Sequence, residues 1–256
     1  MNFQHTDRYA FFLDLDGTLI DIAASPDAVT VPSDLPDILR KLHGATDGAT
    51  AIISGRSIDV IDRLLAPAVL PSAGVHGSEI RLPDGTRRKT ATNWLTRPMR
   101  EIIGELALQH PELIVEYKDL AVAVHFRAAP DLAELVRGTL GKVAEIADGG
   151  LVVQPSKMVF ELMPANIDKG RALAAFMAQP PFRGRRPIAI GDDVTDETMF
   201  ASAQEHGGVA IRVGRDTVRT CATERLADPI AVRALLGGYL DRPGMDAASV
   251  VSASAA

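Results

Sequence analysis

Short apolar runs at Ala10–Leu15, Thr50–Ser54, Pro187–Ile190 and Gly208–Val213 recur along the chain, each too brief for a helix and too apolar for a surface strand. Such runs suit strands buried on both faces, as in a parallel sheet. Between them lie stretches of helical character: Ser33 to about Leu42, Ser57 to about Leu65, Asp168 to Met177, and Thr195 to Glu205. Asp228-Pro229 supplies an N-cap and a first-turn proline for a last helix to about Leu240. Strands alternating with helices imply an α/β fold with a doubly wound parallel sheet.

The middle of the chain follows another pattern. Thr96 to His110 and Pro130 to Ala147 read as helices. Leu113–Tyr117 and Ala121–Arg127 read as strands joined at Lys118-Asp119, and Leu151–Gln154 and Met158–Met163 as a second hairpin turning at Pro155-Ser156. Helix, hairpin, helix, hairpin is an α+β module. The expected organisation is therefore a core of residues 1–84 and 164–241, an inserted α+β cap of residues 85–163, and a disordered tail over 242–256.

The net charge of −6 argues against a nucleic-acid partner. No apolar run approaches the roughly 18–20 residues that span a bilayer, and Met1–Arg8 lacks an apolar signal region, so no membrane is expected and the cytoplasm is the default compartment. The one cysteine, Cys221, reads as a small packed side chain. A monomer is the default, because oligomeric state is not written in the sequence.

The chemistry lies at the strand ends, where an open α/β sheet binds its ligands. Asp14-Leu15-Asp16-Gly17-Thr18 follows the first strand, and alternation places Asp14 and Asp16 on one side. An acid pair in a turn could be simple surface polarity or a glycosyltransferase motif. A calcium-binding helix–loop–helix is excluded, since its glycine stands three residues after the second acid. Ser54-Gly55-Arg56 follows the second strand, Lys169-Gly170 opens a helix, and Gly191-Asp192-Asp193-Val194-Thr195-Asp196 follows a later strand.

That ordered set resembles the haloacid dehalogenase phosphatases across the whole core, and the resemblance implies a Mg²⁺-dependent phosphatase with a carboxylate nucleophile. Asp14 would attack phosphorus. Asp16 would protonate the leaving oxygen and later activate water. Asp14, Asp192 and the Asp16 backbone carbonyl would hold Mg²⁺, with Asp193 and Asp196 orienting those ligands. Capping of the helix after Thr195 is an equal alternative for Asp196. Lys169 would add a cation, and Ser54, Gly55 and Arg56 would bind phosphate, although Arg56 could instead pair with an acid. A positive charge is needed, because at ~4 Å and an effective dielectric near 20 two like charges repel by roughly 4 kcal/mol.

Further stretches resemble the trehalose-6-phosphate phosphatases in particular. These are Gly74-Val75-His76-Gly77-Ser78-Glu79, Val115-Glu116-Tyr117-Lys118 with Val124-His125-Phe126-Arg127, and Gln154-Pro155-Ser156-Lys157 running on to Glu161. The resemblance makes Glu116, Lys118 and Glu161 the readers of glucose hydroxyls. Read as residues, His76 and His125 are structural and Trp94 packs at the hinge between domains, while Glu116 and Lys118 could instead be one solvated face of their hairpin. Met163 departs from the pattern, standing where the family usually has arginine. Sucrose-phosphate and mannosyl-3-phosphoglycerate phosphatases, a phosphosugar mutase and a non-catalytic sugar-phosphate sensor remain open as alternatives. The implied partner in the leading reading is a small sugar phosphate.

Overall fold

The computed structural model describes residues 9–23, 28–89, 95–118, 121–148, 150–215 and 218–241. Trp94, Asp119 and the 242–256 tail lie outside these. The chain opens with β1 (Tyr9–Leu13), α1 (Leu35–Ala45), β2 (Thr50–Ile53), α2 (Ile58–Leu65) and the short strands β3 (Ser72–Gly74), β4 (Glu79–Arg81) and β5 (Arg87–Lys89). There follow α3 (Arg97–Gln109), β6 (Ile114–Tyr117), β7 (Val122–His125), α4 (Ala133–Ile146), β8 (Leu151–Ser156) and β9 (Val159–Pro164). The last part holds α5 (Lys169–Met177), β10 (Arg186–Gly191), α6 (Glu197–Glu205), β11 (Val209–Val213), β12 (Glu224–Leu226) and α7 (Pro229–Asp241).

Two compact units result, one of residues 1–88 with 169–256 and one of residues 89–168. The first is built on an eight-stranded sheet in the order β12-β11-β10-β1-β2-β3-β4-β5. Pairing is parallel from β12 through to β3. At β4 it turns antiparallel, so the Asp84-Gly85 turn lies inside this sheet, between β4 and β5. β1 shows why the sheet is doubly wound. Its residues alternate between faces: Tyr9, Phe11 and Leu13 pack with Leu39 of α1 and Leu236 and Tyr239 of α7, while Ala10 and Phe12 pack with Phe176 of α5 and Phe200 of α6. Both faces are covered, and the strand must be apolar throughout.

The second unit carries a four-stranded antiparallel sheet in the order β6-β7-β9-β8. One face holds Val122, Val124 and Leu162, packed on Met99 and Ile103 of α3 and Val136 and Leu140 of α4. The opposite face contains the row Glu116, Ala123, Glu161 and Gln154, directly paired across the strands. The second hairpin turns at Lys157-Met158, not at Pro155-Ser156 as expected: Pro155 lies within β8, opposite Phe160. β8 is an edge strand, where proline's missing N–H is tolerated.

Cys221 also departs from expectation. It is exposed, and its backbone N–H donates to Glu197 Oε2 at 2.8 Å. Partial desolvation and the Glu197 carboxylate push its thiol up to about 11, which leaves it unactivated at neutral pH. No helix among the described residues is long and apolar enough to cross a membrane.

Candidate active site

β1 lies between β10 and β2, so the chain leaving it emerges between the segments that begin at Asp192 and at Ser54. The Asp14 N–H still donates to the Ile190 carbonyl at 2.9 Å, which extends the sheet by one residue and holds Asp14 at its edge. Asp14 is 4 % exposed, Lys169 2 % and Asp196 fully buried. Lys169 Nζ donates to Asp14 Oδ1 and to Asp196 Oδ1, both at 2.7 Å. Thr18 Oγ1 donates to Asp14 Oδ2 at 3.3 Å. Sequence reading gave Thr18 no role, although it closes the motif that begins at Asp14.

Asp196 does more than either role expected of it. Its second oxygen, Oδ2, accepts from the backbone N–H groups of Asp192 and Asp193, each at 3.0 Å. Asp193 in turn accepts from the Val194 N–H, completing a capping box at the turn before α6. Asp196 therefore shapes the turn that carries Asp192 while it pairs with Lys169. A buried charge left without any partner is destabilising by about 3–5 kcal/mol, so Lys169 needs at least one of its two acids in place.

Oxygens of Asp14, Asp192 and Asp196 lie within 4.8 Å of one another. Burial pushes the Asp14 carboxyl well above the usual range; Lys169 opposes this, and the neighbouring Asp196 and Asp192 add to it. Burial alone would depress Lys169, but Asp14 and Asp196 hold its ammonium above the ordinary lysine value. Three carboxylates face a single ammonium, a negative surplus that suits a hard divalent cation with oxygen ligands. Gly17 lets Asp192 approach: a Cβ there would sit 2.1 Å from Asp192 Oδ2, and its φ of +80° already disfavours a side chain.

Asp16 stands outside that acid cluster. Arg56 grips it from two directions, Nε to Oδ2 at 2.6 Å and Nη2 to Oδ1 at 2.7 Å, so of the two readings open for Arg56 the structure displays the acid pair. Ser54 is buried at the end of β2, and its Oγ accepts from the Arg56 N–H at 3.1 Å.

In the second unit, Lys118 Nζ donates to Glu161 Oε1 at 2.6 Å, and His125 Nε2 lies 3.3 Å from Glu116 Oε2. The contact with His125 is the chief reason the Glu116 carboxyl lies below its ordinary value. Glu161 is buried and Glu116 is partly exposed, so the expected sugar readers Lys118 and Glu161 pair with each other and Glu116 pairs with His125, on the face turned away from the unit's apolar core. Met163 is buried in β9.

The family model for trehalose-phosphatase matches residues 12–229. The chain belongs to the trehalose-phosphatase family. It is similar to a probable trehalose-phosphate phosphatase of Sinorhizobium fredii, 43% identical over 235 residues that cover 90% of this chain and 87% of the relative. It is also similar to the trehalose-6-phosphate phosphatase of Escherichia coli, 39% identical over 221 residues that cover 86% and 82% of the two chains. The C-terminal domain of a Candida albicans trehalose-6-phosphate phosphatase shares the fold, with a TM-score of 0.81 at 22% identity over 92% of this chain and 93% of that one. This is the fold of haloacid dehalogenase-like hydrolases. The trehalose-phosphatase match runs from β1 to the start of α7, so every charged group described above lies within it.

Proposed function

We propose that this protein hydrolyses trehalose-6-phosphate to trehalose and inorganic phosphate through an aspartyl-phosphate on Asp14. The observation that carries the reading is the buried knot of Asp14, Lys169 and Asp196 beside Asp192 at the sheet edge. An Asp14 oxygen attacks phosphorus as the bond from phosphorus to the sugar oxygen breaks, and Asp16, once it has exchanged one of its two Arg56 bonds for a proton, gives that oxygen its proton. Asp16 then takes a proton from the water that attacks the aspartyl-phosphate, and inorganic phosphate leaves. Ser54 donates a hydrogen bond to a phosphoryl oxygen, and Lys169 keeps positive charge beside the nucleophile.

Asp14 and Asp192, with the Asp16 carbonyl, would hold Mg²⁺, while Asp196 keeps their turn in shape. Its bonds to Lys169 and to two backbone N–H groups support that orienting role. When bound, Mg²⁺ would supply the charge that lets an anionic ester approach a carboxylate. Glu116, Lys118 and Glu161 would read the sugar, which makes the second unit the specificity cap and the first the chemical core.

The direct test is phosphate release from trehalose-6-phosphate, sucrose-6-phosphate and glucose-6-phosphate, before and after chelation. Mg²⁺-dependent release strongly favouring trehalose-6-phosphate is expected. A preference for sucrose-6-phosphate would sink the substrate, and full activity after exhaustive chelation would sink the metal.

A further inference from the structure

The Gly74–Glu79 stretch stands out in the sequence yet takes no part in the chemistry above. Leaving β3, the chain passes through Val75, His76 and Gly77 with φ of 47°, 57° and 112°. A β-branched residue rarely adopts a positive φ, and such outliers persist only where their surroundings over-determine them. The surroundings here are the Ser54–Ile58 loop. Val75 N–H donates to the Arg56 carbonyl and His76 N–H to the Ser54 carbonyl, both at 3.0 Å. Glu79 Oε2 accepts from the Ile58 N–H at 3.1 Å, at the first residue of α2. The buried His76 ring rests on Gly55 so closely that a Cβ there would lie 2.8 Å from Nε2. The strained turn thus grips the loop along its length. The loop in turn carries the Ser54 hydroxyl and the Arg56 fork that holds Asp16.

We propose that Val75–Glu79 is a positioning clasp, in which His76 acts through Gly55 and Glu79 through Ile58 to aim the Ser54 hydroxyl and, by way of Arg56, the Asp16 carboxylate. This rests on the phosphatase reading, in which one Asp16 oxygen stays on Arg56 while the other carries the proton for the leaving oxygen. The ring seated on Gly55 ties this turn to the site loop, while Glu79 satisfies an N–H left unpaired at the start of α2. Misplacing a reacting group by about 1 Å is enough to slow a reaction on the order of a hundredfold. Arg56 is the link through which a shift of the loop reaches Asp16.

The test is steady-state kinetics of His76→Ala, Glu79→Ala and Glu79→Gln. Both alanine variants should lose about ten- to a hundredfold in kcat with KM within about threefold of wild type. Glu79→Gln, which keeps an oxygen acceptor for Ile58, should recover most of the loss. Asp16's proton matters most for a poor leaving group. The kcat/KM loss should therefore be larger on glycerol phosphate, an alkyl ester, than on para-nitrophenyl phosphate. Asp62→Ala is the control: it takes the Asp62 carboxylate from Arg81, two residues beyond Glu79 on β4, and from Arg87 without removing any clasp contact, and should lower the melting temperature with kcat unchanged. Equal losses on the two esters, no rescue by glutamine, or an equal kcat loss in Asp62→Ala would overturn the clasp. If His76→Ala does not fold, the Glu79 pair decides. A wild-type protein inactive on trehalose-6-phosphate would instead overturn the functional reading, whereas an active wild type with unimpaired clasp variants would overturn the clasp alone.

Discussion

The two units handle charge in opposite ways. In the first, Asp14, Lys169 and Asp196 are buried and tied to one another by bonds of 2.7 Å, and Asp196 also organises the backbone beside them. In the second, Lys118–Glu161 and Glu116–His125 are two pairs on one face of a sheet, graded from buried to partly exposed and near enough for Lys118 and Glu161 to act on Glu116 as well. Removing one acid from the buried network leaves Lys169 with one partner in place of two, whereas the ion pairs of the second unit each join two side chains only. On the proposed function, the first arrangement suits a unit that performs one reaction and the second a unit that chooses among sugars.

Asp14→Asn strikes this contrast hardest. It should lower phosphate release by about 10⁴-fold or more while the protein still folds, because the amide is nearly isosteric but not nucleophilic. Substantial residual turnover in pure protein would remove the covalent mechanism. Exhaustive chelation should have an effect nearly as large, reversed by Mg²⁺. Ca²⁺ should inhibit, since its longer and looser coordination misplaces the reacting groups. Glu161→Ala and Glu116→Ala should act in the second unit only. A loss of roughly ten- to a hundredfold in kcat/KM on trehalose-6-phosphate is expected, with para-nitrophenyl phosphate barely affected. Parallel losses on both esters would erase the division between the units.

The smallest expected effect is on stability. The folded Glu116 carboxyl lies below its ordinary value, so the pair with His125 stabilises the fold above the unfolded pKa of about 4.5 and fades as pH falls through the depressed value. Because Glu116 is partly exposed, Glu116→Gln should cost only a few tenths of a kcal/mol at pH 7. Melting curves from pH 7 to pH 3 should show that gap closing. A gap that widens towards acid would reverse the assignment of the pair.

The parallel strands β1, β2, β10 and β11 were legible because burial on both faces demands continuous apolar runs, as at Phe11–Leu13 and Ile188–Ile190, whereas the three-residue parallel strand β3 was not. β5 was not, since Arg87-Arg88-Lys89 is exposed throughout and carries no apolar period to read. β12 is only three residues long, too short to establish a period. At the site, the types and order of Asp14, Lys169 and Asp192 were readable from motifs. The fork from Arg56 to Asp16 was one of two open readings, because it joins residues 40 apart and depends on how two loops meet. The double duty of Asp196 was hidden for the same reason: one of its oxygens faces a lysine 27 residues away.

Gly17 has a use beyond this molecule. The space between its Cα and the Asp192 carboxylate is smaller than a methyl group. Any related chain that bears a side chain at this position cannot seat its later aspartate where this one does. In a genome carrying several copies of the gene, that single position would separate copies that keep this acid cluster from copies that have lost it. It would do so before any protein is made, and even where every charged residue of the motifs has survived.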